Sequence, residues 1–220
     1  MDSLLLGSVV GSGYLLSENG KNNRQQNINN DLYKESSQNS IYSSNHLEKV
    51  LDEEKMPGAS WFEGATVNIV YEISKDYEEI KNNTAISFRS ETLGNGVLTW
   101  EELISKTNSL VIKFKELGVQ KGDRVVAILP NTPHSLISFC ATASIGAIWS
   151  LCAPDMGEHA ILDRFKQIKP KVLICQDSYV YAGKIINKVN TILSKFLSIN
   201  WCNFIIFFSN IIKLIIDIGN

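Results

Sequence analysis

The sequence predicts an α/β fold built on a parallel sheet. Short runs such as Val125–Leu129 are apolar throughout, as suits strands covered on both faces. Between them lie stretches whose apolar residues recur at helical spacing, as in Ile161, Leu162, Phe165 and Ile168. The order strand, helix, strand, helix, strand, joined by short Gly- and Pro-marked connections, implies right-handed crossovers.

Ala85–Arg89 reads as a strand, Gly94-Asn95-Gly96 as a turn, and Val97–Thr99 as the returning strand of a hairpin. Thr99 and Glu102 form a Thr-x-x-Glu capping box that opens a helix. Leu103, Leu110, Phe114 and Leu117 fall on one face of that helix, and Gly118 ends it at the position after its cap. Gly122-Asp123 turns the chain tightly into a strand over Arg124–Leu129, which Pro130 stops. A helix follows from about Thr132 to Ser144, closed by Gly146, and Ala147–Cys152 reads as a second buried strand. Pro154 and Gly157 mark the next loop, and a helix is expected over Glu158–Ile168. Lys169-Pro170 breaks it, and Lys171–Cys175 is expected as the third strand, beyond which the sheet has an open edge.

Composition divides the 220 residues into three parts. Asn and Ser supply 17 of the first 50 residues, so residues 1–46 read as a disordered Asn/Ser-rich leader with too little apolar surface to offset ordering. Asp2 precedes Leu4-Leu5-Leu6 without any Lys or Arg, which argues against a signal peptide. Gly7, Gly11 and Gly13 lack the spacing of a dinucleotide fingerprint. Residues 47–195 carry the folded domain. Residues 196–220 read as an aberrant tail in which Ile and Phe make up 12 of 25 residues. Residues 196–216 are long enough to cross a bilayer as a helix, but Asn200, Asn203, Ser209, Asn210 and Lys213 interrupt them. A membrane is therefore not the expected partner, with anchoring by this tail as the alternative.

The 21 Lys+Arg against 23 Asp+Glu give a net charge of −2 and no cationic surplus for phosphate neutralisation, so nucleic acid is not an expected partner. Cys140, Cys152, Cys175 and Cys202 form no Cys-x-x-Cys pair, and are expected as buried reduced thiols of a cytoplasmic protein. His46, His134 and His159 have no ligand spacing, and no metal site is expected. There is no Gly-x-x-x-x-Gly-Lys-Ser/Thr loop and no Gly-x-Ser-x-Gly elbow, and no catalytic residue is assigned. Asp155 lies at a strand's carboxyl end, where open parallel sheets bind ligands, although a turn-forming Asp explains it equally. Asn82-Asn83-Thr84 is a formal glycosylation sequon without a secretory signal to give it meaning.

Longer strings carry a family resemblance. Residues 118–125, Leu129-Pro130-Asn131 and Ile145-Gly146-Ala147-Ile148-Trp149 resemble the amino-terminal domain of adenylate-forming enzymes, the superfamily of acyl-CoA synthetases and luciferases. Residues 98–103 resemble the family's opening helix. Met56 to Asn68 resembles the entry segment of acetyl- and acetoacetyl-CoA synthetases. Cys152 to Gly157 with Leu162 to Leu173 resembles the acetoacetyl-CoA synthetase (acetoacetate–CoA ligase) branch. These strings also make structural sense: Gly122-Asp123 turns the chain, Gly146 permits close packing, and Pro57-Gly58 sets a turn beside Trp61 and Phe62 as apolar anchors.

The resemblance covers about residues 47–195 and implies a partial adenylate-forming domain, incomplete at its carboxyl-terminal side. It implies a ligase that joins acetoacetate, or a similar short acyl acid, to coenzyme A with ATP and Mg²⁺. The family's phosphate loop, adenine and ribose motifs and catalytic lysine lie downstream of the matched portion, so the 220 residues alone are expected to be inactive. An incomplete gene model or a truncated copy is expected, with a non-catalytic binding protein or pseudoenzyme as the alternative. The resemblance places a coenzyme A contact at Tyr181, Ala182, Gly183 and Lys184, with Tyr181 standing where relatives have arginine. Lys184 fits a phosphate contact; a solvated lysine at a helix start is the competing reading.

Overall fold

The computed structural model describes residues 50–51, 54–63, 65, 67–91, 93–188, 190, 192, 202–208 and 214–217. The expected leader, residues 1–46, lies outside them. In chain order the elements are α1 (Ile69–Ser74), α2 (Tyr77–Ile80), β1 (Thr84–Ser90), β2 (Gly94–Thr99), α3 (Trp100–Glu116), β3 (Arg124–Ile128), α4 (Pro133–Ser144) and β4 (Ile148–Cys152). They continue with α5 (Glu158–Ile168), β5 (Val172–Gln176), β6 (Ser178–Tyr181), β7 (Lys184–Asn187), β8 (Phe204–Phe208) and β9 (Leu214–Asp217).

The central sheet has the order β4-β3-β5-β8-β9. Its first four strands are parallel and β9 runs antiparallel to β8. Strand β5 is therefore not the edge that the sequence reading expects: Val172–Gln176 pairs in register with Phe204–Phe208, and Ile205 is fully buried. The boundary drawn at residue 195 falls between β7 and β8, and β8 adds to the central sheet beside β5. The stretch considered as a membrane helix contributes strands β8 and β9, and no helix among the described residues is long and apolar enough to cross a membrane.

Alternation along the strands sends side chains to two cores. Val125, Ala127 and Leu129 with Val172 and Ile174 meet Leu103, Leu110 and Phe114 of α3 and Ile137 and Ala141 of α4. Val126 and Ile128 with Leu173 and Cys175 meet Ile161, Leu162 and Phe165 of α5 on the other face. Helices on both faces explain why β3 and β5 read as continuous apolar runs. Strand β4 sits at the sheet's edge, with Ile148 53 % and Leu151 39 % exposed. An apolar run reports burial tendency and not place in the sheet, so the expected second buried strand is half-exposed.

Helix α3 is closed at both ends by its own sequence. The Glu102 amide donates to Thr99 Oγ1 at 3.2 Å, and the Thr99 amide donates to Glu102 Oε2 at 2.9 Å. At the other end the Val119 amide reaches Phe114 O and the Gly118 amide reaches Lys115 O, both at 2.9 Å, with Gly118 at φ 70°. That pair of bonds is a Schellman motif. The expected turn at Gly94-Asn95-Gly96 lies instead within β2, paired with Ser90, Arg89 and Phe88. Gly96 sits under the Phe88 ring, where an added Cβ would come within 2.6 Å of its tip, so the glycine serves cross-strand packing.

Distant polar residues reach the carboxyl ends of α3, α4 and α5. Asn68 accepts from the Val70 amide at 3.0 Å to cap α1, and its Nδ2 donates to Ala143 O and Ser144 O at the end of α4. Arg124 Nε donates to Ile168 O and its Nη2 to Lys169 O, both at 2.8 Å, placing a cation at the carboxyl end of α5. Lys171 Nζ donates to Gly118 O beyond α3 and to Asp123 Oδ2 at 3.0 Å. Burial pushes the Asp123 carboxyl up, but the Gln120 amide, the Lys171 ammonium and the Arg124 guanidinium outweigh it and hold it below its usual range. The motif residues around Gly122 are thus structural. Trp61 and Phe62 are not buried anchors. They are 59 % and 50 % exposed, and backbone bonds such as Phe62 N to Val50 O hold their loop.

Candidate functional site

A doubly wound sheet places ligands beyond the carboxyl ends of its strands, where the connections diverge. Here the chain passes from β3 outward to β4, then crosses back over β3 to β5, so the divergence lies between β3 and β5. Thr132, at the cap of α4, and Gln176, at the end of β5, are both 6 % exposed there. Thr132 Oγ1 and Gln176 Oε1 have no hydrogen-bond partner among the described residues, so a water or a polar ligand group would satisfy them.

Beyond β5 the chain makes a feature that sequence reasoning missed, the antiparallel hairpin β6–β7. Tyr181 pairs with Lys184 across a two-residue turn in which Ala182 has φ 50° and Gly183 φ 72°. Positive φ at both central residues makes this a type I′ turn, the form that matches strand twist. The signal was present as β-branched and aromatic residues on either side of Ala182-Gly183, but Ala in place of the usual Asn or Gly masked it. Lys184 opens strand β7, which removes the reading of it as a helix-start lysine.

Tyr181, Ala182, Gly183 and Lys184, the residues expected from the resemblance, thereby form one hairpin tip. Tyr181 is 62 % exposed, Ile185 is 78 % exposed, and Lys184 is exposed. At the base, Tyr179 is buried. Burial pushes its phenol up, and the Asp155 carboxylate and Tyr181 push it further. The Lys188 amide donates to Asp177 O at 2.8 Å and closes the base. At the tip, the Gly183 amide donates to Glu91 Oε2 at 3.0 Å, a contact spanning 92 positions of sequence.

An exposed lysine on a fixed turn can meet a phosphate as a point charge. The cavity lined by Ile128, Met156, Ile161 and Ile192 together with Glu158 and Lys188 has a volume of about 20 Å³. That is room for about one water and not for a nucleotide or acyl group. Among the described residues no group of three or more His, Cys, Asp or Glu side chains could hold a metal ion. The four cysteines are free and buried. Burial pushes Cys140 and Cys202 up to about 11 and Cys175 well above the ordinary thiol value, which disfavours thiolate chemistry.

Comparison with known proteins agrees with this architecture. The family model described as AMP-binding enzyme matches residues 75–200, more than half of the chain. Acetoacetyl-coenzyme A synthetase of Rhizobium meliloti (strain 1021) is 41% identical over 135 residues, covering 61% of this chain and 20% of the relative. Acetoacetyl-CoA synthetase of Gallus gallus is 38% identical over 136 residues, covering 61% and 20%. The solved structure of acetoacetyl-CoA synthetase from Streptomyces lividans superposes with a TM-score of 0.67 at 36% identity, covering 73% of this chain and 25% of that one. The chain thus spans about a fifth of the length of the curated relatives it matches.

Proposed function

The chain belongs to the AMP-binding enzyme family, and on that premise we propose that it is the amino-terminal portion of an ATP-dependent acetoacetate–CoA ligase of the cytoplasm. The observation that carries the reading is its likeness to proteins named acetoacetyl-CoA synthetase. In the proposed reaction the acetoacetate carboxylate attacks the α-phosphate of ATP, pyrophosphate leaves, and the coenzyme A thiol then displaces AMP from the acyl-adenylate. Mg²⁺, when bound with ATP, would offset phosphate charge.

This portion's share of that reaction is the coenzyme. The Tyr181–Lys184 turn presents the Lys184 ammonium to a coenzyme A phosphate, and Tyr181 offers an exposed ring beside it. Binding of adenosine 3′,5′-bisphosphate, the nucleotide end of coenzyme A, tests the assignment by calorimetry. Lys184→Ala is expected to weaken binding about tenfold, as loss of a charge-assisted phosphate contact does. Equal binding by both chains would remove the site. Incubation of the 220-residue chain with ATP, Mg²⁺ and acetoacetate is expected to release no pyrophosphate, and acetoacetate-dependent release would overturn the reading of a portion.

A further inference from the structure

We propose that Glu91 is a positioning residue for the coenzyme-contacting hairpin: its carboxylate latches the tip through the Gly183 amide and so fixes the place from which Lys184 meets a phosphate. The inference rests on the reading of Tyr181–Lys184 as a coenzyme A contact.

Three features of the hairpin make a latch consequential. First, β6–β7 is a two-stranded sheet separate from the central one, and such a hairpin is marginally stable by itself. Second, its turn holds Ala182 at φ 50°, a left-handed conformation that a Cβ disfavours, so the turn's own chemistry does not secure the shape. Third, Gly183 immediately precedes Lys184 and lies within the turn closed by the Tyr181–Lys184 pair. Holding the Gly183 amide therefore holds the backbone that carries the lysine.

Glu91 suits the task because it follows β1 and comes from the turn of a different hairpin, one whose strands lead directly into the capped helix α3. The bond thus ties the tip to the body of the domain across 92 positions of sequence. A carboxylate accepting from a backbone amide makes a charge-assisted bond, stronger than a neutral one. The same carboxylate puts a negative charge on the turn that precedes Lys184. Latch and charge are separable, because Gln retains an acceptor oxygen and drops the charge, whereas Ala removes both.

The test follows amide hydrogen exchange at Gly183 and Lys184, and calorimetric binding of adenosine 3′,5′-bisphosphate, in the wild-type chain, Glu91→Ala and Glu91→Gln. Exchange at β3 and β5 serves as the control for an intact fold. Glu91→Ala is expected to raise exchange at Gly183 about fivefold and to weaken bisphosphate binding by a similar factor, the size of one ordinary hydrogen bond. Glu91→Gln, which keeps a weaker neutral acceptor, is expected to exchange more slowly at Gly183 than Glu91→Ala and to bind more tightly than it. Unchanged Gly183 exchange in Glu91→Ala, or a Gln variant indistinguishable from the Ala variant, would overturn the proposal. Wild-type binding by Lys184→Ala would instead remove the coenzyme reading. The latch would then stand or fall on exchange alone, supported by a rise in Glu91→Ala that Glu91→Gln lessens.

Discussion

In the central sheet Val125, Val126, Ala127, Val172, Leu173, Ile174 and Cys175 are fully buried, whereas in the β6–β7 hairpin Tyr181 and Ile185 are 62 % and 78 % exposed. The helix ends around the sheet are closed by side chains from Thr99, Asn68 and Arg124. The hairpin turn relies on a strained alanine and a bond from Glu91. The two regions are consecutive in sequence, with β5 ending at Gln176 and β6 beginning at Ser178. The contrast teaches that this chain separates scaffold from contact surface: apolar burial fixes the first, and a few polar bonds aim the second.

The sharpest way to break that contrast is to cut into the scaffold. Phe165 on α5 is fully buried, so Phe165→Ala is expected to cost about 3–5 kcal/mol by urea denaturation. A loss below about 1 kcal/mol would mean that α5 packs as loosely as the hairpin.

A smaller effect comes from the polar lock beneath the sheet. The Asp123 carboxyl is held below its unfolded value, so its contribution is complete above the unfolded pKa and is lost as pH falls through the folded one. Asp123→Asn is therefore expected to flatten the acid limb of the stability curve below about pH 4. An acid limb identical to wild type would show that Lys171 and Arg124 gain nothing from this carboxylate.

The smallest effect is expected in the hairpin. Ala182→Asn places a residue that tolerates positive φ at the strained turn, and should stabilise it locally by about 0.5–1 kcal/mol. The change should appear as slower amide exchange at residues 180–185 with the global urea midpoint unmoved. A shifted midpoint would mean that hairpin and sheet unfold as one unit, which would dissolve the comparison.

The elements that were legible in the sequence are those whose signals are local. Thr99 and Glu102 meet as a capping box because three residues separate them, and Gly118 ends α3 because only a residue free to adopt positive φ fits there. Helix α5 was legible through Ile161, Leu162 and Phe165 on one face. The candidate site was legible only as the string Tyr181–Lys184, and only through resemblance. Its shape was not, because Ala182-Gly183 lacks the Asn-Gly signal of a type I′ turn. The hairpin of β1 and β2 was legible but its turn was not, because Gly-Asn-Gly reads as a turn until Phe88 is known to cover Gly96.

By itself, then, the sequence determined the alternation of strands and helices, the caps of α3, the turn at Gly122 and the apolar faces that make two cores. Only the tertiary structure decided that β4 is an edge, that β8 covers β5, that Asn68 closes α4 and Arg124 closes α5, and that Glu91 meets Gly183. The division has a physical reason. Capping, turn chemistry and hydrophobic periodicity act within a few residues, so they are written in the order of the chain. Strand order and the partners of Asn68, Arg124 and Glu91 depend on crossovers that join residues tens of positions apart, and those meetings exist only once both cores have packed.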